Sequence, residues 1–224
     1  MPSSPDALSS LSVFVAIPCL TDPSLHTTMS LLDTQEACGQ YGIKVDFGFV
    51  TCSLVHHARS LLANVFIGRT EFNRLFWIDA DMKWSPVDFV KVLNHTRTHD
   101  CVAGVYPRRR EPPGYFVNFV NPDADPDEDG LIEIEATGMG FSCVRRGVME
   151  HLAALAPKLK HGQDAEPSPA IFRQDDDGTS VRGEDYAFWS DCRDAGYKIF
   201  ADCTLNIGHV GTKIYQCRAL SSPR

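Results

Sequence analysis

RLFWIDADM, residues 74–82, is the stretch on which the architecture turns. Arg74 to Ile78 is a short apolar run of the length and composition of a buried strand. It stops at two carboxylates one residue apart, Asp79 and Asp81. Upstream, LSVFVAI (11–17) is a second buried-strand run and IKVDFGFV (43–50) alternates as a strand does. Between them, residues 24–41 carry Leu25, Met29, Leu32 and Ala37 at roughly helical spacing, with Gly42 at the end. Leu54, Val55, Ala58, Leu61, Leu62, Val65 and Phe66 draw an amphipathic helix before Arg74. Downstream, Ser85, Pro86 and Asp88 are a helix start, with the cap, the first-turn proline and the acidic partner in place. CVAGVY (101–106) then completes a β-α-β-α-β-α-β series. Such alternation predicts an α/β fold with a mostly parallel central sheet flanked by helices. Ligands in these folds bind at the carboxyl ends of the strands, which is where Asp79 and Asp81 fall.

Carboxylates at i and i+2 share one face of a strand, so at its end both can reach one ion. Hard divalent cations take oxygen ligands and can bridge carboxylates to a diphosphate, where they act as Lewis acids toward a phosphate leaving group. The tripeptide alone is common, and an acidic strand terminus is the competing explanation. Its place on the third strand of the series favours the site.

After residue 106 the pattern loosens. YFVNFV (115–120) and LIEIEA (131–136) read as strands around an acidic turn, and a glycine-rich turn (TGMG) precedes FSCVRR and a helix near 147–155. Residues 160–180 are polar and read as a loop. A helix over about 183–195 is closed by Gly196, and YKIFA follows as a strand. Glu184 and Asp185 open that helix, where acidic side chains are favoured electrostatically.

A formal charge of −8 argues against a general nucleic-acid or anionic-membrane binder. The eight cysteines form no C-x-x-C pair, which excludes a zinc ribbon or a thioredoxin-like motif and suits a reducing compartment. No secretory leader and no apolar run near the ~20 residues of a membrane span are present. The expectation is a cytoplasmic protein without a transmembrane segment.

LSVFVAIP, IKVDFGFV and RLFWIDADM together resemble the nucleotide-binding half of GT-A-fold glycosyltransferases, and GEDYAFWSDCRDAGYKIFAD (183–202) with IGHVG (207–211) resembles their later half. The likeness runs over about residues 11–213 and is greatest to small family-2-like enzymes of bacteria, phages and large viruses. It implies a single GT-A (Rossmann-like) catalytic domain over 11–215, between short tails at 1–10 and 216–224. Residues 11–106 would be the nucleotide-binding half and 107–215 the acceptor half. It further implies that Asp79 contacts the donor nucleoside and shares a divalent cation, Mn2+ or Mg2+, with Asp81 and His209. Pro18, Cys19, Arg59, Asp79, Ala80 and Asp81 would line the nucleotide, from a UDP-sugar in preference to a GDP-sugar. Asp185, with Glu184 second, would be the base acting on a glycan or other hydroxyl acceptor, with inversion.

Several features have plainer readings. Arg59 lies on the polar side of its helix, where a solvated arginine and a nucleotide contact are both open. Arg108, Arg109 and Arg110 follow a strand at the same edge as Asp79 and Asp81, where they could compensate phosphate charge or engage an anionic acceptor, but such a run is more often a solvated turn and is read as one. Gly138 and Gly140 lack the third glycine of a dinucleotide fingerprint; a tight backbone under the donor sugar is what the family resemblance offers instead. Residues 125–136 match only the first half of an EF-hand loop, with Ala136 where the bidentate glutamate belongs, and read as an acidic hairpin turn. A D-x-D phosphohydrolase of the haloacid-dehalogenase kind would carry threonine or valine where Lys83 stands. A nucleotide-sugar or glycan-binding module without turnover is the non-enzymatic alternative.

Overall fold

A computed structural model describes residues 8–216 except 113, 161–165, 177 and 212. In chain order the elements are β1 (Ser12–Cys19), α1 (Leu25–Gln40), β2 (Lys44–Thr51), α2 (Val55–Gly68), β3 (Arg74–Ile78), β4 (Met82–Lys83), α3 (Pro86–His95) and β5 (Cys101–Gly104). There follow β6 (Val117–Phe119), β7 (Leu131–Thr137), β8 (Phe141–Arg145), α4 (Arg146–Leu155), β9 (Lys158–Leu159), β10 (Ser168–Pro169), β11 (Asp175–Asp176) and β12 (Val181–Arg182). The chain finishes with α5 (Glu184–Asp194), β13 (Ile199–Asp202), β14 (Gly208–Val210) and β15 (Ile214–Gln216).

Eight strands form one sheet in the order β2-β1-β3-β8-β5-β13-β7-β6. The pairings make six strands run one way and only β8 and β7 the other. This is the α/β architecture expected, with one departure. β8 lies between β3 and β5, so those two strands of the alternating series never touch. Residues 141–145 are fully apolar except Ser142 and Arg145, and a strand covered on both faces has no alternation to betray it.

The alternation of β1 divides the interior in two. Phe14 and Ala16 face a cluster with Leu62 and Phe66 of α2, Met149 and Leu152 of α4, and Phe188 and Trp189 of α5. Val13, Val15 and Ile17 face a second, with Leu31 and Cys38 of α1 and Phe89, Val92 and Leu93 of α3. β3 splits likewise, with Leu75 and Trp77 on one side and Phe76 and Ile78 on the other. Helices therefore cover both faces of the sheet. Ser24 caps α1 through the Thr27 amide at 3.0 Å. The Ser85 box at α3 is complete, with the Asp88 amide on Ser85 Oγ and the Ser85 amide on Asp88 Oδ2.

Two expectations need correction. The apolar stripe on α2 is rotated: Leu54, Val55 and Val65 are exposed, whereas Arg59 is buried at 2% exposure with Ala58, Leu62 and Phe66. Carboxylates on neighbouring elements recruit the arginine inward. Residues 160–180 are also no plain loop where they are described. Phe172 stacks on Phe188 at 4.6 Å between ring centres and meets Trp77 edge-on at 5.0 Å. Its backbone exchanges hydrogen bonds with Ser60 Oγ, and Arg173 pairs with Asp191. One aromatic in a polar run is too little to register as periodicity, yet it pins the segment.

The acidic turn is a hairpin turn between β6 and β7, in which Asp127 Oδ1 accepts from the Asp129 and Leu131 amides. The seven described cysteines are free thiols. No helix among the described residues is long and apolar enough to cross a membrane.

Candidate active site

Register brings the carboxyl ends of β1, β2 and β3 together: Cys19 lies opposite Thr51, and Ala16 opposite Trp77. β8 carries the alignment across to β5, since Ser142 opposes both Trp77 and Ala103. At this edge opens a cleft of about 580 Å³. Pro18, Cys19, Arg59, Asp79, Ala80, Asp81, Glu184, Asp185 and His209, the residues singled out in the sequence, all line it. Thr21, Asp22, Ser53, Tyr106, Arg109, Phe116 and Gly138 line it too. A separate groove of about 700 Å³ between α1 and α3 shares none of these residues.

Arg59 is the hub. Its Nη2 donates to Asp79 Oδ1 at 2.7 Å and its Nε to Glu184 Oε1 at 3.4 Å, while the guanidinium lies 5.6 Å from the Trp77 ring centre. Burial opposes its charge, but Asp79 and Glu184 more than offset this and raise its pKa further. The solvated-surface reading of Arg59 is therefore overturned. Its Nη1 is buried without a hydrogen-bond partner among the described residues, a costly state for a guanidinium donor and one that an incoming acceptor would relieve.

Asp81 leaves β3 just before β4, and β4 pairs with β14 so that His209 lies opposite Met82. The Val210 amide donates to Asp81 O at 2.7 Å, locking the two segments. His209 Nε2 thereby comes within 3.5 Å of Asp81 Oδ2. Its Nδ1 lies 3.0 Å from Pro107 O, which can only accept, so Nδ1 carries the proton. In the neutral ring Nε2 then turns a lone pair toward a carboxylate oxygen, an arrangement that a cation between them satisfies. Burial works against charge on Asp81; when the ring is instead protonated at both nitrogens, Nε2 donates to Oδ2, and that hydrogen bond and charge, with Arg109, hold the Asp81 carboxyl below the ordinary value.

Among the described residues no three His, Cys, Asp or Glu side chains converge where a metal ion could sit. Asp81 and His209 fit as a pair of ligands to an ion completed by substrate oxygens; the Asp79 carboxylate is instead engaged by Arg59.

Asp185 stands in the first turn of α5, its Oδ1 accepting from the Tyr186 amide at 2.8 Å. Burial, then the neighbouring charge of Glu184, push its pKa up to about 6, against smaller opposing effects of the Tyr186 amide and Arg59. A carboxyl poised there can hold or release a proton near neutrality.

Two lining residues, Tyr106 and Arg109, depart from the sequence reading. Tyr106 is buried beyond β5 and its hydroxyl accepts from the Gly140 amide at 3.0 Å. A Cβ on Gly138 would lie 2.1 Å from that hydroxyl, and one on Gly140 2.7 Å from Asp79 Oδ2, which explains both glycines. Arg109 is no free surface turn: its Nη1 lies 3.0 Å from Asp81 Oδ2. Arg108 packs over Phe116 at 4.5 Å and donates to Tyr115 O. Three adjacent arginines after a strand at the ligand edge were the available signal.

No protein-family model matches the chain, and no curated protein does. Among solved structures, A197 from STIV superposes with a TM-score of 0.57 over 90% of this chain and 86% of its own, at 20% identity. That likeness shows a shared fold. A glycosyltransferase involved in glycosylation of the major capsid of PBCV-1 matches with a TM-score of 0.36 at 11% identity, over 63% of each chain. GalNAc-T7 with UDP, GalNAc and Mn2+ matches with a TM-score of 0.49 at 10% identity, over 93% of this chain and 44% of its own.

Proposed function

We propose that this protein is a metal-dependent GT-A glycosyltransferase that moves a sugar from a nucleoside-diphosphate donor, a UDP-sugar, to the hydroxyl of a glycan or other acceptor. The observation that carries the reading is one cleft in which Asp81 faces His209 while Asp185, with its carboxyl near pKa 6, opens α5.

Charge supports it. Five carboxyl residues line the cleft (Asp22, Asp79, Asp81, Glu184, Asp185) against two arginines, Arg59 and Arg109. A bare diphosphate would be repelled by that surplus, so it must arrive with a cation. Asp81 and His209 would hold the ion, which when bound neutralises the departing diphosphate. Asp79, held by Arg59, accepts from the donor ribose. The end of β1 and the loop that follows it, Pro18 to Asp22, wall the nucleotide, and Gly138 lets the chain pass close to the sugar. Asp185 orients the acceptor and takes its hydroxyl proton. The acceptor oxygen attacks the anomeric carbon, the bond to the diphosphate oxygen breaks with its electron pair, and the anomeric centre inverts.

Thermal shift with UDP-, GDP- and dTDP-sugars, each with Mn2+ and with chelator, tests the site. A ligand at about 100 times its Kd stabilises the fold by ~2.7 kcal/mol. The expected result is a shift for UDP-sugars that disappears with chelator and in Asp81→Ala. No shift with any nucleotide sugar on well-folded protein sinks the reading. Release of phosphate from simple phosphate esters would favour a phosphohydrolase, and donor binding unaffected by Asp185→Asn without turnover in the wild type would favour a binding module.

A further inference from the structure

Two groups crowd one oxygen of Asp81. Arg109 Nη1 lies 3.0 Å from Oδ2 and His209 Nε2 3.5 Å from the same atom. A guanidinium there is a cation where the bound ion would be, and it cannot share the oxygen with a divalent ion without strong repulsion. The two cleft arginines differ in their freedom to move. The Arg59 side chain is 3% exposed and tied at two nitrogens to Asp79 and Glu184. The Arg109 side chain is 49% exposed, and among the described residues it makes, beyond Asp81, only a 3.4 Å hydrogen bond to Val210 O. The segment that carries it is fastened: Pro107 bridges Tyr115, Pro107 O accepts from His209, and Glu111 pairs with Lys213. The side chain can thus leave Asp81 while its backbone stays beside the ion's position.

We propose that Arg109 is a placeholder and clamp. In the resting protein its guanidinium neutralises Asp81; when metal and diphosphate enter, it swings from the carboxylate to the diphosphate oxygens, which its planar fork matches. This inference rests on reading the cleft as a metal–diphosphate site. It makes the two ligands mutually dependent. Metal alone must displace Arg109 with no anion to receive it, whereas metal with diphosphate supplies the destination, so each strengthens binding of the other by the same factor.

The test is calorimetric titration of Mn2+, of UDP, and of each in the presence of the other, into wild type, Arg109→Ala and Asp81→Ala. Arg109→Ala should bind Mn2+ alone about two- to fivefold more tightly, the size of a half-exposed ion pair. It should bind UDP in saturating Mn2+ about tenfold or more weakly, as for loss of a charge-assisted contact. The factor by which Mn2+ strengthens UDP binding should fall accordingly. Wild type that binds Mn2+–UDP, lost in Asp81→Ala but unchanged in Arg109→Ala, overturns the role of Arg109 alone. Weaker binding of Mn2+ by itself in Arg109→Ala also overturns it. Wild type that binds no Mn2+ even with UDP present overturns the cleft reading and the inference with it.

Discussion

Replacing Asp185 by asparagine should make the protein more stable and abolish its turnover. The folded-state pKa of about 6 stands about two units above the ordinary carboxyl value of 3.8. A raised carboxyl holds its proton more tightly in the folded chain, so its ionised form opposes folding. The cost is absent below the unfolded pKa, grows as pH rises between about 4 and 6, and is fully present above that. At ~1.4 kcal/mol per unit the full cost is ~3 kcal/mol, and since the side chain is only partly shielded, 1–3 kcal/mol is the range expected, all values order-of-magnitude. Asparagine keeps an oxygen for the Tyr186 amide, which the carboxylate now accepts at 2.8 Å, and removes only the charge. Urea unfolding of both proteins at about pH 4.5, 6 and 8 reads this directly. The gain should be small at the lowest pH and level off at the highest, where it corresponds to roughly 2–12 °C in Tm for a chain of this size. UDP and Mn2+ binding should persist while transfer collapses. A stability difference that does not change with pH, or a variant less stable at pH 8, refutes the account of Asp185.

Other outcomes follow from the same geometry. In the wild type, kcat/KM should rise with pH through about 6 as Asp185 becomes able to accept a proton, and the rise should vanish from the residual rate of Asp185→Asn. Phe172→Ala removes a 2%-exposed ring packed on Phe188 and Trp77 and should cost about 3–5 kcal/mol in urea unfolding, where a loop residue would cost almost nothing. Ser85→Ala breaks the capping box of α3 and should cost ~1 kcal/mol, seen as roughly 2–4 °C in Tm. Gly138→Ala puts a carbon where Tyr106 Oη already stands; it should destabilise by about 1–3 kcal/mol and raise KM for the donor more than that of a surface glycine such as Gly147.

What the sequence declares, it declares through local rules. β1 and β3 are continuous apolar runs, and Ser85, Pro86 and Asp88 write the start of α3 within four residues. The carboxylates fall at a strand end, where chain direction alone sends them to the ligand edge. What it hides depends on partners distant along the chain. Arg59 looks polar until Asp79 and Glu184 arrive from β3 and α5 to bury it. Phe172 is one ring in a polar stretch until Ser60 holds its backbone. Arg109 looks solvated until the loop that bears it is fixed by His209 through Pro107. β8 is the least legible element, because nothing in residues 141–145 indicates which strands they will separate.

The position of β8 bears on how the chain comes off the ribosome. β3 and β5 emerge with the first half of the sequence, but their hydrogen-bonding partner, residues 141–145, follows some forty residues behind Gly104. Until then β3 keeps one open edge and β5, whose sheet partners β8 and β13 both come later, has no strand beside it, so both carry unpaired amides and carbonyls ready to pair wrongly. The carboxylates at the end of β3 cannot be set against Gly140 before the same moment, since the Asp79 amide donates to Gly140 O just ahead of β8. The earlier and later halves of the chain are thus stitched through each other, and neither can be finished without the strand that closes the seam.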